Sequence, residues 1–151
     1  KVTTEISGTD LACQEGLVES RTRAPMETAE LALAILTRGQ ARLYQRDLHG
    51  AIKDSDESIS TDPRWPLAWW VRAAAKLDLN DLEAALADSS EAIARDSSLA
   101  RAYLVRGRAA LKCGRQKVAL EDCDKAIRLD PELAMAWCTR GEAKLDMGDV
   151  E

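Results

Sequence analysis

The residue types that most often perform catalysis are few in this sequence and lie far apart. The single histidine, His49, has no Ser-His-Asp or Cys-His arrangement around it and is expected on the surface. No nucleotide-binding glycine loop occurs. We therefore predict that the chain is not an enzyme and carries no cofactor.

The cysteines show no spacing typical of a metal site such as C-x2-C. They are predicted to be free packing thiols, which favours a reducing compartment such as the cytoplasm. The four residues are Cys13, Cys113, Cys123 and Cys138.

Arginine and aspartate recur at a fixed separation that could form ion pairs. Arg38, Arg72 and Arg106 are each followed sixteen residues later by an aspartate, and both series repeat every 34 residues. A guanidinium matches a carboxylate with two parallel hydrogen bonds. The pattern favours an ion pair between two helices of each repeat; the alternative is two solvated surface charges. The aspartates are Asp54, Asp88 and Asp122.

The same period of 34 residues extends to small and apolar residues, which is the signature of stacked structural repeats. Gly39, Gly107 and Gly141 are spaced by multiples of 34 residues, and Ala73 occupies the intervening position. Three further series follow the period: Ala51, Ala85 and Ala119; Ile59, Ile93 and Ile127; Leu43, Leu77, Leu111 and Leu145.

Each period predicts two helices. In LARAYLVRGRAALKCG, small and apolar residues recur at steps of three and four, and Gly114 ends the segment. The segment KVALEDCDKAIRLDP has one apolar stripe and stops before Pro131. Glycine and alanine at the shared positions would let the two helices approach closely.

Composition narrows the classes of partner. The chain of 151 residues is 46% hydrophobic and 31% charged, which excludes general disorder. Its net charge of −5 argues against a nucleic-acid partner, because phosphate binding needs a basic face. No apolar run is long enough to insert into a membrane.

One sequence pattern resembles the tetratricopeptide repeat family: an aromatic residue, glycine four positions on, then two alanines and proline. The resemblance implies an all-α, right-handed α-solenoid of antiparallel helix pairs with a concave groove. It places an N-terminal segment with a capping helix at 1–31 and repeats at 32–65, 66–99, 100–133 and, in part, 134–151. The matching residues are Tyr103, Gly107, Ala119, Ala126 and Pro131, with Trp137 and Gly141 in the last repeat.

The sequence departs from this family in ways that bear on binding. The usual leucine before the glycine is an arginine in every repeat, and the usual tyrosine is absent at Arg42, Lys76, Ala110 and Lys144. Where one subclass grips the C-terminal carboxylate of chaperone peptides, this chain has other residues, so the resemblance does not imply chaperone-tail binding. The replaced positions are Leu36, Gln40, Ala74 and Val105, with Arg101 the one near match.

By the repeat frame, the groove is apolar in its first half, basic in the third repeat and acidic at Glu142 and Asp146. Arg101, Arg108 and Lys112 lie at helical spacing and could present a positive stripe to an acidic peptide. The alternative is a solvated face. The candidate groove residues are Leu36, Gln40, Tyr44, Trp70, Ala74, Arg101, Leu104, Arg108 and Lys112.

Three of the four tryptophans lie within DPRWPLAWWV. Trp69 occupies the family's core aromatic position and is predicted to be buried. Trp65 is predicted to cover the seam between two repeats. Trp70 shares the groove face, and either contacts a partner or packs on a neighbouring helix.

The sequence therefore predicts a non-catalytic scaffold that binds a peptide segment of a protein partner in its concave groove. Two alternatives remain. Open repeat ends could stack between chains and give a homo-oligomer, or the array could be the regulatory domain of a larger enzyme. Because the sequence stops after the first helix of its fourth repeat, we expect it to be part of a longer array.

Overall fold

The computed structural model describes residues 27–148, and every regular element in that range is an α-helix. The predicted capping helix and Cys13 lie outside the described residues. Helix α1 occupies 27–44, so it begins before position 32, where the first repeat was expected to start. The other helices are α2 (Leu48–Thr61), α3 (Pro66–Asp78), α4 (Leu82–Arg95), α5 (Ala100–Lys112), α6 (Gln116–Leu129) and α7 (Ala134–Asp146).

Within each repeat, a left-handed residue reverses the chain between the two helices. Gly114 and Gly148 have φ values of 72° and 76°, and Arg46 and Asn80 adopt 66° and 63° at the equivalent positions. A residue with a side chain costs roughly 1–2 kcal/mol in this conformation, whereas glycine adopts it freely. The tight turns pack successive helices antiparallel, as the sequence predicted.

Between repeats, an aspartate ends each second helix. Asp62, Asp96 and Asp130 have extended backbones, with φ between −143° and −148°. Their side-chain oxygens accept backbone hydrogen bonds two residues on, at 3.1, 2.8 and 3.1 Å respectively. This local turn satisfies the freed backbone and directs the chain into the next repeat.

Small residues allow the two helices of a repeat to pack closely. Ala119 is fully buried. A Cβ placed on Gly107 would lie 3.3 Å from the carbonyl oxygen of Ala119 and 3.2 Å from Cys123 Sγ. The second repeat has Ala73 at the glycine position, also fully buried. The predicted close approach of paired helices is confirmed.

The helices form two layers of unequal spacing. Helix α5 contacts both α3 and α7, whereas α4 contacts neither α2 nor α6. The first helices of neighbouring repeats are therefore closer together than the second helices in this part of the chain. Such a difference curves the stack, so α1, α3, α5 and α7 line the concave surface and α2, α4 and α6 form the convex one.

Candidate functional site

The predicted ion pairs form in all three complete repeats. Arg106 donates from Nε and Nη2 to the two oxygens of Asp122 at 2.8 and 2.7 Å. The equivalent distances are 2.8 and 2.6 Å between Arg72 and Asp88, and 2.9 and 2.8 Å between Arg38 and Asp54. The aspartates are buried, and hydrogen bonding to Asp122 raises the pKa of Arg106. The ion-pair hypothesis is confirmed.

A second cation joins the carboxylate in two of these repeats. Arg42 Nη1 lies 2.9 Å from Asp54, and Lys76 Nζ lies 2.8 Å from Asp88. The equivalent position in the third repeat is Ala110, which is fully buried. In the first two repeats, the family's usual tyrosine is thus replaced by a cation that bonds the buried carboxylate.

The arginine at this position of the second, third and fourth repeats also contacts the preceding repeat. Arg72 Nη1 lies 2.6 Å from Asp56, and Arg140 Nε lies 3.2 Å from Asp124, both on the helix before. At the intervening junction Arg106 Nη1 meets the Ser90 hydroxyl at 3.4 Å. This row of arginines connects the repeats and is not part of the groove.

The concave surface contains two neighbouring cavities. The larger, about 240 Å³, lies between α1, α3 and α5; Leu43, Leu77 and Val105 supply apolar walls. The smaller, about 120 Å³, lies between α5 and α7 and is lined by Met135 among others. Arg108 lines both cavities, as the residue that separates them on α5.

The candidate groove residues divide into an accessible group and a buried group. Leu36, Trp70 and Leu104 are buried in the core clusters, which corrects the expectation that their side chains are presented to a partner. The cavities of the concave face are lined mainly by side chains nearer the C-terminal ends of α1, α3 and α5. The accessible candidates are Gln40, Tyr44, Ala74, Arg101, Arg108 and Lys112.

Trp70 is buried in the main core cluster, and Arg101 contacts the ring from outside. Its guanidinium lies over the Trp70 ring, 5.6 Å from the centroid, and its Nη1 donates to the Tyr44 hydroxyl at 3.3 Å. Arg101 therefore spans from α5 to α1 across α3. Of the two alternatives for Trp70, packing within the array is the one observed.

Trp69 was predicted to be buried but is only partly so. It packs against the edge of the core and donates from Nε1 to Pro63 O at 3.0 Å. The guanidinium carbons of Arg72 and Arg95 lie 4.9 and 4.3 Å from the centroid of its ring, within the range of a cation–π attraction. Trp65 is half-buried, packs against the same core, and lines a cavity of about 380 Å³ with Pro66, consistent with a cover over the seam.

Sequence reasoning missed the apolar walls of the larger cavity. Leu43 and Leu77 follow the period and indicate core packing, and both are indeed buried. Their edges nevertheless line the cavity, which depends on how far α1, α3 and α5 separate. Asp78 and Arg46, which form an ion pair at its rim, were also not predicted as a pair.

The histidine and two of the three described cysteines lie as the sequence predicted, whereas Cys138 was also expected to be a packing thiol and is exposed. His49 is exposed on α2. Cys123 is fully buried, and burial raises the pKa of its thiol to about 11, so the thiol stays neutral and unreactive. No cluster of potential metal ligands occurs among residues 27–148. Within that range, no helix combines the length and apolarity needed to cross a bilayer.

Comparison with known families identifies the architecture. A model of the tetratricopeptide repeat matches residues 100–133. The helix pair at 100–133 is a tetratricopeptide repeat. The helices fit about three and a half such repeats, and the fold is the predicted all-α solenoid. A comparison with curated proteins found no match.

Solved tetratricopeptide repeat domains share this fold. The Arabidopsis OM64 domain is 25% identical with a TM-score of 0.74, covering 78% of this chain and 98% of its own. The second domain of human RPAP3, solved with the HSP70 peptide SGPTIEEVD, is 26% identical with a TM-score of 0.70, covering 80% and 98%. The TPR2B domain of yeast Sti1, in a complex with pHsp70, is 26% identical with a TM-score of 0.69, covering 79% and 98%.

Proposed function

We propose that this tetratricopeptide repeat array is a non-catalytic scaffold that binds a peptide segment of a protein partner on its concave surface. The observation that carries the proposal is Arg108. Its guanidinium is half-buried, lines both concave cavities, and has no hydrogen-bond or ion-pair partner among residues 27–148. A guanidinium without a partner beside apolar walls gains most from an incoming carboxylate.

The structural relatives support a peptide as the ligand. The RPAP3 and Sti1 domains were solved with HSP70-derived partners, one of them a peptide ending in EEVD. In this chain Leu36 is buried and Ala74 lines the larger cavity, so the first two repeats offer no cation at these places. The proposal is therefore an acidic peptide held mainly by Arg108 on α5.

A peptide array tests this proposal directly. The chain is applied to immobilised twelve-residue peptides of varied charge, together with Arg108→Glu and the matched control Arg128→Glu. Arg128 is exposed on convex α6 and also has no partner among the described residues. We expect acidic peptides to bind the wild type and the control, and to lose binding to Arg108→Glu. Equal binding by all three proteins would contradict groove binding.

A second candidate function is self-association through the end of the array. Trp137 and Leu145 on α7 are 49% and 63% exposed, whereas the equivalent Tyr103 and Leu77 are 9% and 1% exposed. An apolar face of this kind supports docking of another helix or another copy of the chain. A molar mass that rises with concentration would favour this candidate.

A further inference from the structure

The arginines in the described part of the chain separate into bonded and free groups. Nine of the twelve form ion pairs with carboxylates. Arg101, Arg108 and Arg128 do not. Arg101 is already held by the Tyr44 hydroxyl and the Trp70 ring, and Arg128 is exposed on the convex side. Arg108 is therefore the free guanidinium on the concave surface.

The charges around Arg108 leave it available to a ligand. Asp78 lines the same cavity, but its carboxylate is paired with Arg46 on the rim. Glu142 and Lys112, which carry opposite charges, line the smaller cavity, and neither forms an ion pair with another described residue. No described carboxylate lies within ion-pairing distance of Arg108.

The surroundings of Arg108 also specify an apolar neighbour in the ligand. The cavity of about 240 Å³ at its side has walls from Leu43, Leu77 and Val105, and opens between α1, α3 and α5. Sites of this kind bind ligands by burying an apolar group and fixing its orientation with a few polar contacts. A large aliphatic side chain suits the apolar walls, and a carboxylate suits the guanidinium.

We infer that the groove selects a linear peptide in which a large aliphatic side chain precedes or follows a glutamate or aspartate by two residues, with Arg108 binding that side-chain carboxylate. The inference rests on the proposed function and specifies its ligand. In an extended peptide, side chains two residues apart point the same way about 6.8 Å apart. Two such side chains can therefore enter the same side of the groove, one against the apolar walls and the other at Arg108, which lines the same cavity.

Because Arg108 is the one free guanidinium of the described groove, we expect it to bind an internal acidic residue of the peptide and not the peptide's C-terminus. A C-terminal aspartate carries two carboxylates, whereas Arg108 provides one bidentate donor set. Arg101 is committed to Tyr44 and Trp70, and Lys112 is exposed, where an ion pair adds little. The ligand therefore needs no free terminus.

The test is an NMR titration of the ¹⁵N-labelled chain with capped peptides. The peptide Ac-Ser-Ser-Leu-Ser-Glu-Ser-Ser-NH₂ is compared with its Gln analogue, its Leu→Ser analogue, and the Gln analogue with a free C-terminal carboxylate. We expect the Glu peptide to shift amides of α3 and α5 saturably. The other three should bind roughly tenfold more weakly, the difference made by one charge-assisted bond or one buried side chain.

Two variants assign the selectivity. Arg108→Gln should bind the Glu and Gln peptides equally, whereas Arg128→Gln should keep the wild-type preference; circular dichroism checks that both are folded. Groove shifts without a preference for Glu, or a preference kept by Arg108→Gln, would overturn the inference and leave groove binding standing. If the Gln analogue with a free C-terminal carboxylate binds as tightly as the Glu peptide, the inference is likewise overturned and groove binding still stands. Shifts confined to α4 and α6, or no shifts, would overturn the inference, and the former would also contradict groove binding.

Discussion

At the scale of single residues, each complete repeat buries the aspartate of its interhelical ion pair and bonds it to one or two cations. Asp122 has Arg106 as its cationic partner, whereas Asp54 is bonded by both Arg38 and Arg42. A buried ion pair adds little net stability over an apolar pair, but losing one partner leaves a buried charge uncompensated. The number of cations around each aspartate therefore sets how much one substitution costs.

Arg106→Met should destabilise the protein more than Arg38→Met. The first leaves Asp122 without a cation and should lower the free energy of unfolding by about 3 kcal/mol. The second leaves Arg42 bonded to Asp54 at 2.9 Å and should cost roughly 1–2 kcal/mol. Urea denaturation of both variants measures the difference. Equal losses would mean that the second cation does not compensate for the first.

Asp62 should give a specific acid sensitivity. Hydrogen bonds from Arg64 hold the pKa of Asp62 at about 2, below the ordinary value of 3.8. Because the pKa is lower in the folded state, the stabilisation is present above about pH 3.8 and is lost as the pH falls through about 2. Asp62→Asn should remove this part of the pH dependence, measured by urea denaturation at pH 6, 4 and 2.5.

The partner of Asp62 is exposed, so the effect should be modest. The Arg64 side chain is largely in water, and added salt should weaken the interaction. Repeating the series in high salt is the control. If wild type and Asp62→Asn lose stability in parallel over the whole pH range at low salt, the assignment to Asp62 is wrong.

At the scale of helices, the repeats differ in how closely their two helices approach. A Cβ placed on Gly107 would lie 3.2 Å from Cys123 Sγ. The second repeat has Ala73 at this position, and there the residue equivalent to Cys123 is the smaller Ser89. A helix pair that faces a larger atom has less room for a Cβ. The tolerance for alanine should therefore depend on the opposing helix.

Gly107→Ala should lower the free energy of unfolding by about 1–3 kcal/mol, because the added Cβ forces α5 and α6 apart. Adding Cys123→Ser should restore part of the loss, since it shortens the opposing side chain. Gly141→Ala is the matched control: no atom lies within 4 Å of its Cβ position, so it should change stability by at most about 1 kcal/mol, in the stabilising direction. Thermal and urea denaturation of the four proteins decide this, and a neutral Gly107→Ala would contradict the steric argument.

Periodicity predicted the helix pairs, and the separation of sixteen residues predicted the Arg106–Asp122 pair, because both depend on the repeat itself. The cavities do not follow from periodicity, since their walls depend on the distances between first helices of different repeats. Trp69 and Trp70 illustrate the limit: they are adjacent, and Trp70 is the one that packs into the core cluster, where Arg101 from another repeat lies over its ring. A contact between residues far apart in sequence is not encoded in the repeat frame.

At the scale of the whole molecule, the described array exposes apolar side chains on its first and last helices. Helices α3 and α5 are covered by a second helix of their own repeat and by neighbours on both sides, whereas α7 contacts α5 and α6. The face of α7 that carries Trp137 and Leu145 is exposed. Leu31 and Leu33 on α1 are exposed as well, so apolar side chains reach the surface at both ends.

The exposed face of α7 predicts where two copies would meet. If the chain self-associates, Leu145→Lys should shift the apparent dissociation constant at least tenfold, since it places a charge in an apolar contact. Val118→Lys is the matched control, because Val118 is 42% exposed on α6, away from this face. Sedimentation equilibrium over a hundredfold concentration range measures both variants and the wild type. Because α7 and its exposed face are part of each monomer, a wild type that stays monomeric throughout, or equal weakening by the two variants, would exclude this end as the contact between copies.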